Sequence, residues 1–378
     1  MKDIFRKILS KRYKYKVLIN SVTDIVIFDE HGSKEIKDNI INKSIKTITY
    51  DYNVITIYLN PIFIVKLIIN LFKHWNSYKS IPHNFYILYI LTDIKTLKPK
   101  IVITYNDDNI IYHSLANIMT DIKFIAIQNG LRESFIRERI NYNINHDSYF
   151  CFGEKDIDKQ LSSNWKIKKA TPIGSLRAGI ALSIFKEQQK IYDICYISEY
   201  SSEDKITNEN LEWANNIKKV DKIISNFYKN NKNIKIIVIL RSNNNDERDY
   251  FKNLFDSNIS FSNPLRYLDS YKTILQSNLS IGFGSTLLIE SLGLKTKSLG
   301  INTAKSNKFF DYDEIVYNFD DANSCNKFII DLIDMPYQKY YEKMQSTIIK
   351  SMNLDIHNLP HNIIRKNIDN LIYNSKNG

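Results

Sequence analysis

With 378 residues, 43% of them hydrophobic and 25% charged, and with 10 Gly and 7 Pro, the chain has material for two cores of ordinary size and is too apolar to be disordered. A net charge of +11 invites an anionic partner, whether nucleic acid, an anionic membrane surface or a phosphorylated substrate, although the Lys, Asn and Ile excess of an AT-rich coding sequence would raise it as well. Three scattered cysteines, Cys151, Cys195 and Cys325, argue against a disulfide framework and a zinc cluster and fit a reducing cytoplasm.

Residues 2–16 carry seven basic side chains around Ile4, Phe5, Ile8 and Leu9. Their helical spacing reads either as a basic helix on an anionic membrane or as a solvated end, and no secretory leader is recognisable. Short β-branched runs predict strands at 24–28, 46–50, 100–104, 122–127, 149–152 and 170–173, with helices at 61–78 and 83–97 between them. The run 61–72 is the most apolar of the chain. It is broken by Lys66 and falls short of the roughly 20 residues that span a bilayer.

A second series predicts strands at 192–197, 234–240, 259–261, 279–281, 297–300 and 315–317. Its helices fall at 208–229, 246–255, 268–276 and 285–292, and a helical tail follows from about 321. Strands alternating with helices in two successive series imply two Rossmann-like, doubly wound α/β domains, taken as 1–184 and 185–378, with a hinge at 183–190. Open sheets of this kind bind ligands beyond the carboxyl ends of their strands, so both should face one cleft.

The strand-end residues are the candidates for chemistry. The stretch Ser280-Ile-Gly-Phe-Gly-Ser-Thr-Leu-Leu-Ile-Glu290 runs from a strand into a helix, so Gly284, Ser285 and Thr286 suit a phosphate, and Glu290 one turn later suits ribose hydroxyls. A plain helix cap would account for Ser285 alone. Arg241 ends a very apolar strand and suits bidentate phosphate or carboxylate binding. Gly174 and Ser175 form a further small-residue turn.

In the first domain, Asp107 and Asp108 follow one strand, with Asp107 the reactive candidate and Asp108 the expected helix cap. Gln128, Asn129 and Arg132 follow the next strand and could hold sugar hydroxyls. Glu30 and His31, after the first strand, offer a second carboxylate and an imidazole. Two acidic clusters, 106–108 and 311–313, superficially suggest a metal. The spacing supports no zinc site, and arginine with a helix terminus can neutralise a phosphate, so no metal and no cofactor are expected.

The stretches Ile101-Val-Ile-Thr-Tyr-Asn-Asp-Asp-Asn109, Phe124-Ile-Ala-Ile-Gln-Asn-Gly-Leu-Arg132, Tyr149-Phe-Cys-Phe-Gly153, Gly174-Ser175 and Gly284-Ser-Thr-Leu-Leu-Ile-Glu290 together resemble bacterial surface-carbohydrate biosynthesis glycosyltransferases of the GT-B type, acting on capsule or O-antigen. The arrangement is most similar to retaining transferases that use a CMP-activated ulosonic acid, Kdo. That resemblance implies that Asp107 attacks the donor's anomeric carbon, that Glu30 acts as acid or base, and that the second domain holds the nucleotide. It implies a nucleotide sugar and a glycan or lipid-linked acceptor as partners, in the cytoplasm or peripherally on the inner face of the membrane. Asn106, where the pattern has an apolar residue, and the doubled aspartate depart from it. A nucleotide-sugar 2-epimerase and a non-catalytic glycan-binding or nucleic-acid-binding protein are the alternatives, the last disfavoured by basic residues dispersed among acidic ones.

Overall fold

The structure is a computed structural model describing residues 12–16, 21–51, 54–78, 84–131, 145–161, 165–186, 188–202, 206–207, 210–303, 314–319 and 321–377. The first half contains β1 (Arg12–Lys16), β2 (Ile25–Phe28), α1 (Ser33–Asn39), β3 (Thr47–Tyr50), β4 (Val54–Tyr58), α2 (Pro61–Tyr78), α3 (Asn84–Leu97), β5 (Ile101–Thr104) and α4 (Ile110–Ile118). It continues with β6 (Lys123–Ile127), β7 (Asn145–His146), β8 (Ser148–Cys151), α5 (Glu154–Leu161), β9 (Lys166–Ile167), β10 (Ala170–Pro172) and α6 (Leu176–Phe185).

The strands β10-β8-β6-β5-β2-β3 form one six-stranded sheet, parallel throughout. The inner strands Ile25-Val-Ile-Phe28 and Ile101-Val-Ile-Thr104 are fully buried runs. That is what helices on both faces of a parallel sheet require. Alternate side chains point to opposite faces. Val26, Phe28, Val102, Phe124 and Ala126 meet Ile87, Leu91 and Ile94 of α3, whereas Ile25, Ile27, Ile103 and Ile125 join a core shared with the second sheet.

The second half contains β11 (Tyr192–Ile197), α7 (Leu211–Asn230), β12 (Ile236–Ile239), α8 (Asn245–Leu254), β13 (Ser260–Phe261), α9 (Asp269–Leu275), β14 (Ser277–Gly282), α10 (Thr286–Gly293), β15 (Lys297–Asn302) and β16 (Val316–Asn318). Its sheet, β13-β12-β11-β14-β15-β16, is also parallel throughout. In this sheet the chain order of the strands is 3-2-1-4-5-6, and in the first it is 2-1-3-4-5-6. Each order reverses direction once, which opens a crevice between β11 and β14 in the second domain and between β2 and β5 in the first. The expectation of two Rossmann-like domains holds.

The tail is helical, with α11 (Ala322–Asp334), α12 (Tyr337–Ser351) and α13 (Pro360–Asn377). Lys297 Nζ donates to the carbonyls of Leu332, Ile333 and Met335 at 2.5–2.9 Å and so fastens the end of α11 to the second sheet. The rest of the tail, counted in the sequence with the second domain, crosses to the first. Helix α12 packs on α5, and α13 packs on α6. Arg365 of α13 donates to the carbonyls of Ile40 and Asn39. Glycine makes the crossing possible at two points. A Cβ on Gly153 would stand 2.0 Å from the Lys350 carbonyl oxygen, and one on Gly174, whose φ is +80°, would stand 2.9 Å from Leu354 Cα.

One local reading is corrected. Arg12–Lys16, read as part of a basic helix, is a strand paired in parallel with β4. Arg-Tyr-Lys-Tyr-Lys alternates with a period of two, a strand pattern that the apolar spacing of residues 4–9 obscured. Residues 2–11 lie outside the described residues.

Candidate active site

A cleft of about 560 Å³ opens at the crevice between β11 and β14. The second domain lines it with Ser198 and Glu199 after β11, Arg241 after β12, and Gly284, Ser285 and Thr286 after β14, while Leu131 closes it from the first domain. Four of the residues expected to bind nucleotide, Arg241, Gly284, Ser285 and Thr286, are thereby brought together.

Each is fixed by a neighbour. Ser285 is the N-cap of α10, its side chain accepting from the Leu287 amide at 3.3 Å. Thr286 Oγ1 accepts from the Leu131 amide at 3.2 Å, a bond between the domains. Both hydroxyl oxygens act as acceptors in these bonds, which leaves their protons to donate toward a ligand. Arg241 is held through its backbone. Its amide donates to Glu247 Oε1 at 2.9 Å, and the same carboxylate accepts from Ser242 N, Ser242 Oγ and Ser198 Oγ at 3.0, 3.1 and 2.6 Å. Glu247 thus ties together the loops after β11 and β12 while the guanidinium stays exposed in the cleft.

Glu199 was not legible in the sequence as a site residue. Its carboxylate accepts from the Gly284 amide at 2.6 Å, at the end of α10 where the amides favour negative charge. Burial pushes this carboxyl up to about 7, against the opposing pull of the Gly284 amide and the Arg241 charge. A group poised there can hold or release a proton near neutral pH. The available signal was positional: a carboxylate two residues beyond the first strand of the second series.

Three other expected nucleotide ligands lie behind the cleft. Glu290 is 3% exposed, accepts from Tyr271 Oη at 2.9 Å and is hydrogen-bonded by Ser175 Oγ. Ser175 is the N-cap of α6, and its amide faces Met352 Sδ at 3.2 Å. Gly174 is pressed against Leu354. Beside them Arg177 donates to Glu35 Oε1 at 2.7 Å and lies 5.0 Å from the centre of the Tyr105 ring. These residues form a buried seam joining the two domains. Glu290 has its hydrogen bonds there, turned away from a ribose.

The first-domain candidates divide in the same way. Asp107 is fully buried, accepting from the Asn129 amide at 3.1 Å and from Tyr149 Oη at 2.8 Å, so its carboxylate holds the loop that carries Leu131 and does not point into the open cleft. Asp108 is exposed, and the cap of α4 is Asn109, which accepts from the amides of Ile111 and Tyr112. Gln128 turns inward, accepting from Phe152 N and donating to the Gly130 carbonyl, both at 2.9 Å. Asn129 is half-buried, and Arg132 lies outside the described residues. Glu30 and His31 are exposed on the loop after β2, with the His31 ring stacked 5.8 Å from that of Tyr105. Asp29 before them adopts φ +87° and ties that loop to the next by accepting from Asn106 Nδ2 at 3.1 Å.

The fold is shared with solved proteins. The UDP-GlcNAc 2-epimerase from Neisseria meningitidis, bound to UDP-GlcNAc, is 13% identical with a TM-score of 0.53 over 93% of this chain and 99% of its own. The wall teichoic acid polymerase TagF is similar as its H444N variant, with 12% identity, a TM-score of 0.58 and coverage of 94% and 90%. The same variant with CDPG gives 13%, 0.54, 94% and 89%. At such identities the likeness is one of architecture, two Rossmann-like domains of the GT-B type. No curated protein matches the sequence. A family profile does, over residues 125–368, well over half of the 378 and including the whole second-domain cleft. The chain belongs to that family, described as "putative O-antigen biosynthesis protein".

Proposed function

We propose that this protein is a glycosyltransferase of surface-carbohydrate assembly, moving a sugar from a nucleotide-activated donor to a glycan or its lipid-linked precursor. The observation that carries the reading is the convergence of Arg241, the start of α10 and the near-neutral Glu199 carboxyl at the crevice between β11 and β14. Arg241 and the Ser285 and Thr286 hydroxyls take the donor phosphate. As the anomeric C–O bond to phosphate breaks and the acceptor oxygen forms the new bond, the acceptor's proton must leave. Glu199 is the group in the cleft suited to exchange it, and Glu30 is the acceptor-side carboxylate. Asp107 is assigned to holding the Asn129 loop.

A CMP-activated ulosonic acid such as Kdo is the donor we place first. That choice rests on the sequence resemblance, and among the described residues Arg241 is the one cation lining the cleft and the group placed to take the donor phosphate. The test is a titration of nucleotides followed by an assay of CMP- and UDP-sugars with and without a glycan acceptor. Arg241→Ala should weaken nucleotide binding roughly tenfold to a hundredfold, the worth of a charged hydrogen bond, and nucleotide release should require acceptor. A donor converted to its epimer with no acceptor present would make the enzyme an epimerase.

A further inference from the structure

Helix α2 departs from the pattern of a surface helix, which carries an apolar stripe inward and polar residues outward. Its inner side is apolar. Phe63 is 1% exposed, with its ring centred 4.5 Å from that of Tyr58 and 5.2 Å from that of Tyr89, and Asn70 donates to Thr92 Oγ1 of α3 at 3.1 Å. The outer side is apolar too. Ile62, Val65, Ile69 and Phe72 are 60, 55, 57 and 77% exposed. Their spacings of three, four and three residues align them in one stripe, about 15 Å long at the rise of an α-helix. Ile64 and Ile68 widen it. From 61 to 72 the one charged residue is Lys66.

The margin of this face is basic. Lys66 and Lys73 stand on the helix itself, and Lys14 and Lys16 are exposed on β1, whose partner β4 leads directly into α2. Asp93, the carboxylate of α3, is 2% exposed and accepts from Tyr58 Oη at 2.9 Å, so it adds no negative charge to the outer face. Two occupants would suit an apolar stripe, a second copy of the chain or a lipid surface. Two copies would bring lysine margins against each other, and like charges in apposition oppose association. An anionic bilayer satisfies both parts of the surface. No described helix is long and apolar enough to cross a membrane, so α2 would lie in the interface plane.

We propose that the outer face of α2 seats on an anionic bilayer, with Ile62, Val65, Ile69 and Phe72 entering the boundary of headgroups and acyl chains and the lysines meeting the headgroups. Co-sedimentation of the full chain with phosphatidylglycerol-containing vesicles, and with phosphatidylcholine alone, tests it. Binding should require phosphatidylglycerol, and Ile62→Glu/Phe72→Glu should reduce it at least tenfold while thermal unfolding stays unchanged. A second readout uses Ile69→Cys carrying a polarity-sensitive dye, selective because all three native cysteines are buried. Its emission should shift to the blue on the anionic vesicles. Vesicle binding that the double variant leaves intact, or binding without a blue shift, would overturn the assignment. So would a lipid-independent dimer, seen by sedimentation equilibrium, that the double variant dissolves.

Discussion

Helix α10 meets two different environments within two turns. Its first residues, Ser285 and Thr286, stand at the open cleft with Arg241 and Glu199, whereas Glu290, one turn further, is enclosed by Ser175 and Tyr271 in the seam between the domains. Both regions contain a glutamate whose carboxyl burial pushes up to about 7. The partners differ. In the cleft the carboxyl meets a backbone amide and an exposed arginine, so a ligand can exchange with it. In the seam two buried hydroxyls from the two domains donate to one carboxyl oxygen, Oε1, so its work is to fix one domain against the other. A raised pKa therefore marks a functional group in one place and a structural clamp in the other, and the access of a ligand separates the two.

Removing the clamp gives the largest expected effect. Glu290→Leu leaves the Ser175 and Tyr271 hydroxyls buried without their acceptor and should lower the urea-unfolding free energy by about 3 kcal/mol, with nucleotide affinity of the folded protein held within about threefold by calorimetry. A large affinity loss at unchanged stability would place Glu290 at the ligand after all.

The pH dependence sharpens the comparison. Glu199 and Glu290 both have folded pKa values near 7, above the 4.5 of the free side chain. The folded state therefore binds more protons than the unfolded one between these values. The stabilisation is complete below about pH 4.5, falls as pH rises and levels off above about 7, with a span on the order of 3 kcal/mol for each group. Unfolding of Glu199→Gln should lack the Glu199 share. Nucleotide affinity of the unsubstituted protein should also weaken from pH 6 to 8, as Glu199 ionises beside the phosphate, and Glu199→Gln should flatten that profile. An unchanged affinity profile in this variant would remove Glu199 from the ligand site.

The smallest effect expected is at the link between cleft and first domain. Thr286→Val deprives the Leu131 amide of its acceptor and should cost about 1 kcal/mol, measured by thermal unfolding. No loss would show that the Leu131 contact contributes little to joining the domains.

Much of the fold was legible because the strands are continuous β-branched runs. Pro61–Tyr78 was bounded by its proline and its periodicity, and Ser285 by its position before an apolar helix. Val54–Tyr58 passed unread although it is β-branched and alternating, since it stands close to the long helical pattern that follows. Within the site, the small-residue turn at Gly284 and the strand-end Arg241 announced themselves by local chemistry. Glu199 and Glu247 did not, because their importance lies in neighbours 85 and up to 49 residues away.

The sequence by itself determined the strands of the two six-stranded parallel sheets and which turns reach the strand ends, since these follow from periodicity and capping over a few residues. Only the tertiary structure decided which polar groups are open to a ligand. Asp107, Gln128 and Glu290 resemble site residues along the chain and become internal hydrogen-bonding groups once folded. Burial and the choice of hydrogen-bond partner depend on segments distant in sequence. The outward apolar face of α2 was decided in the same way, because the periodicity of an all-round apolar helix does not say which side the rest of the protein covers.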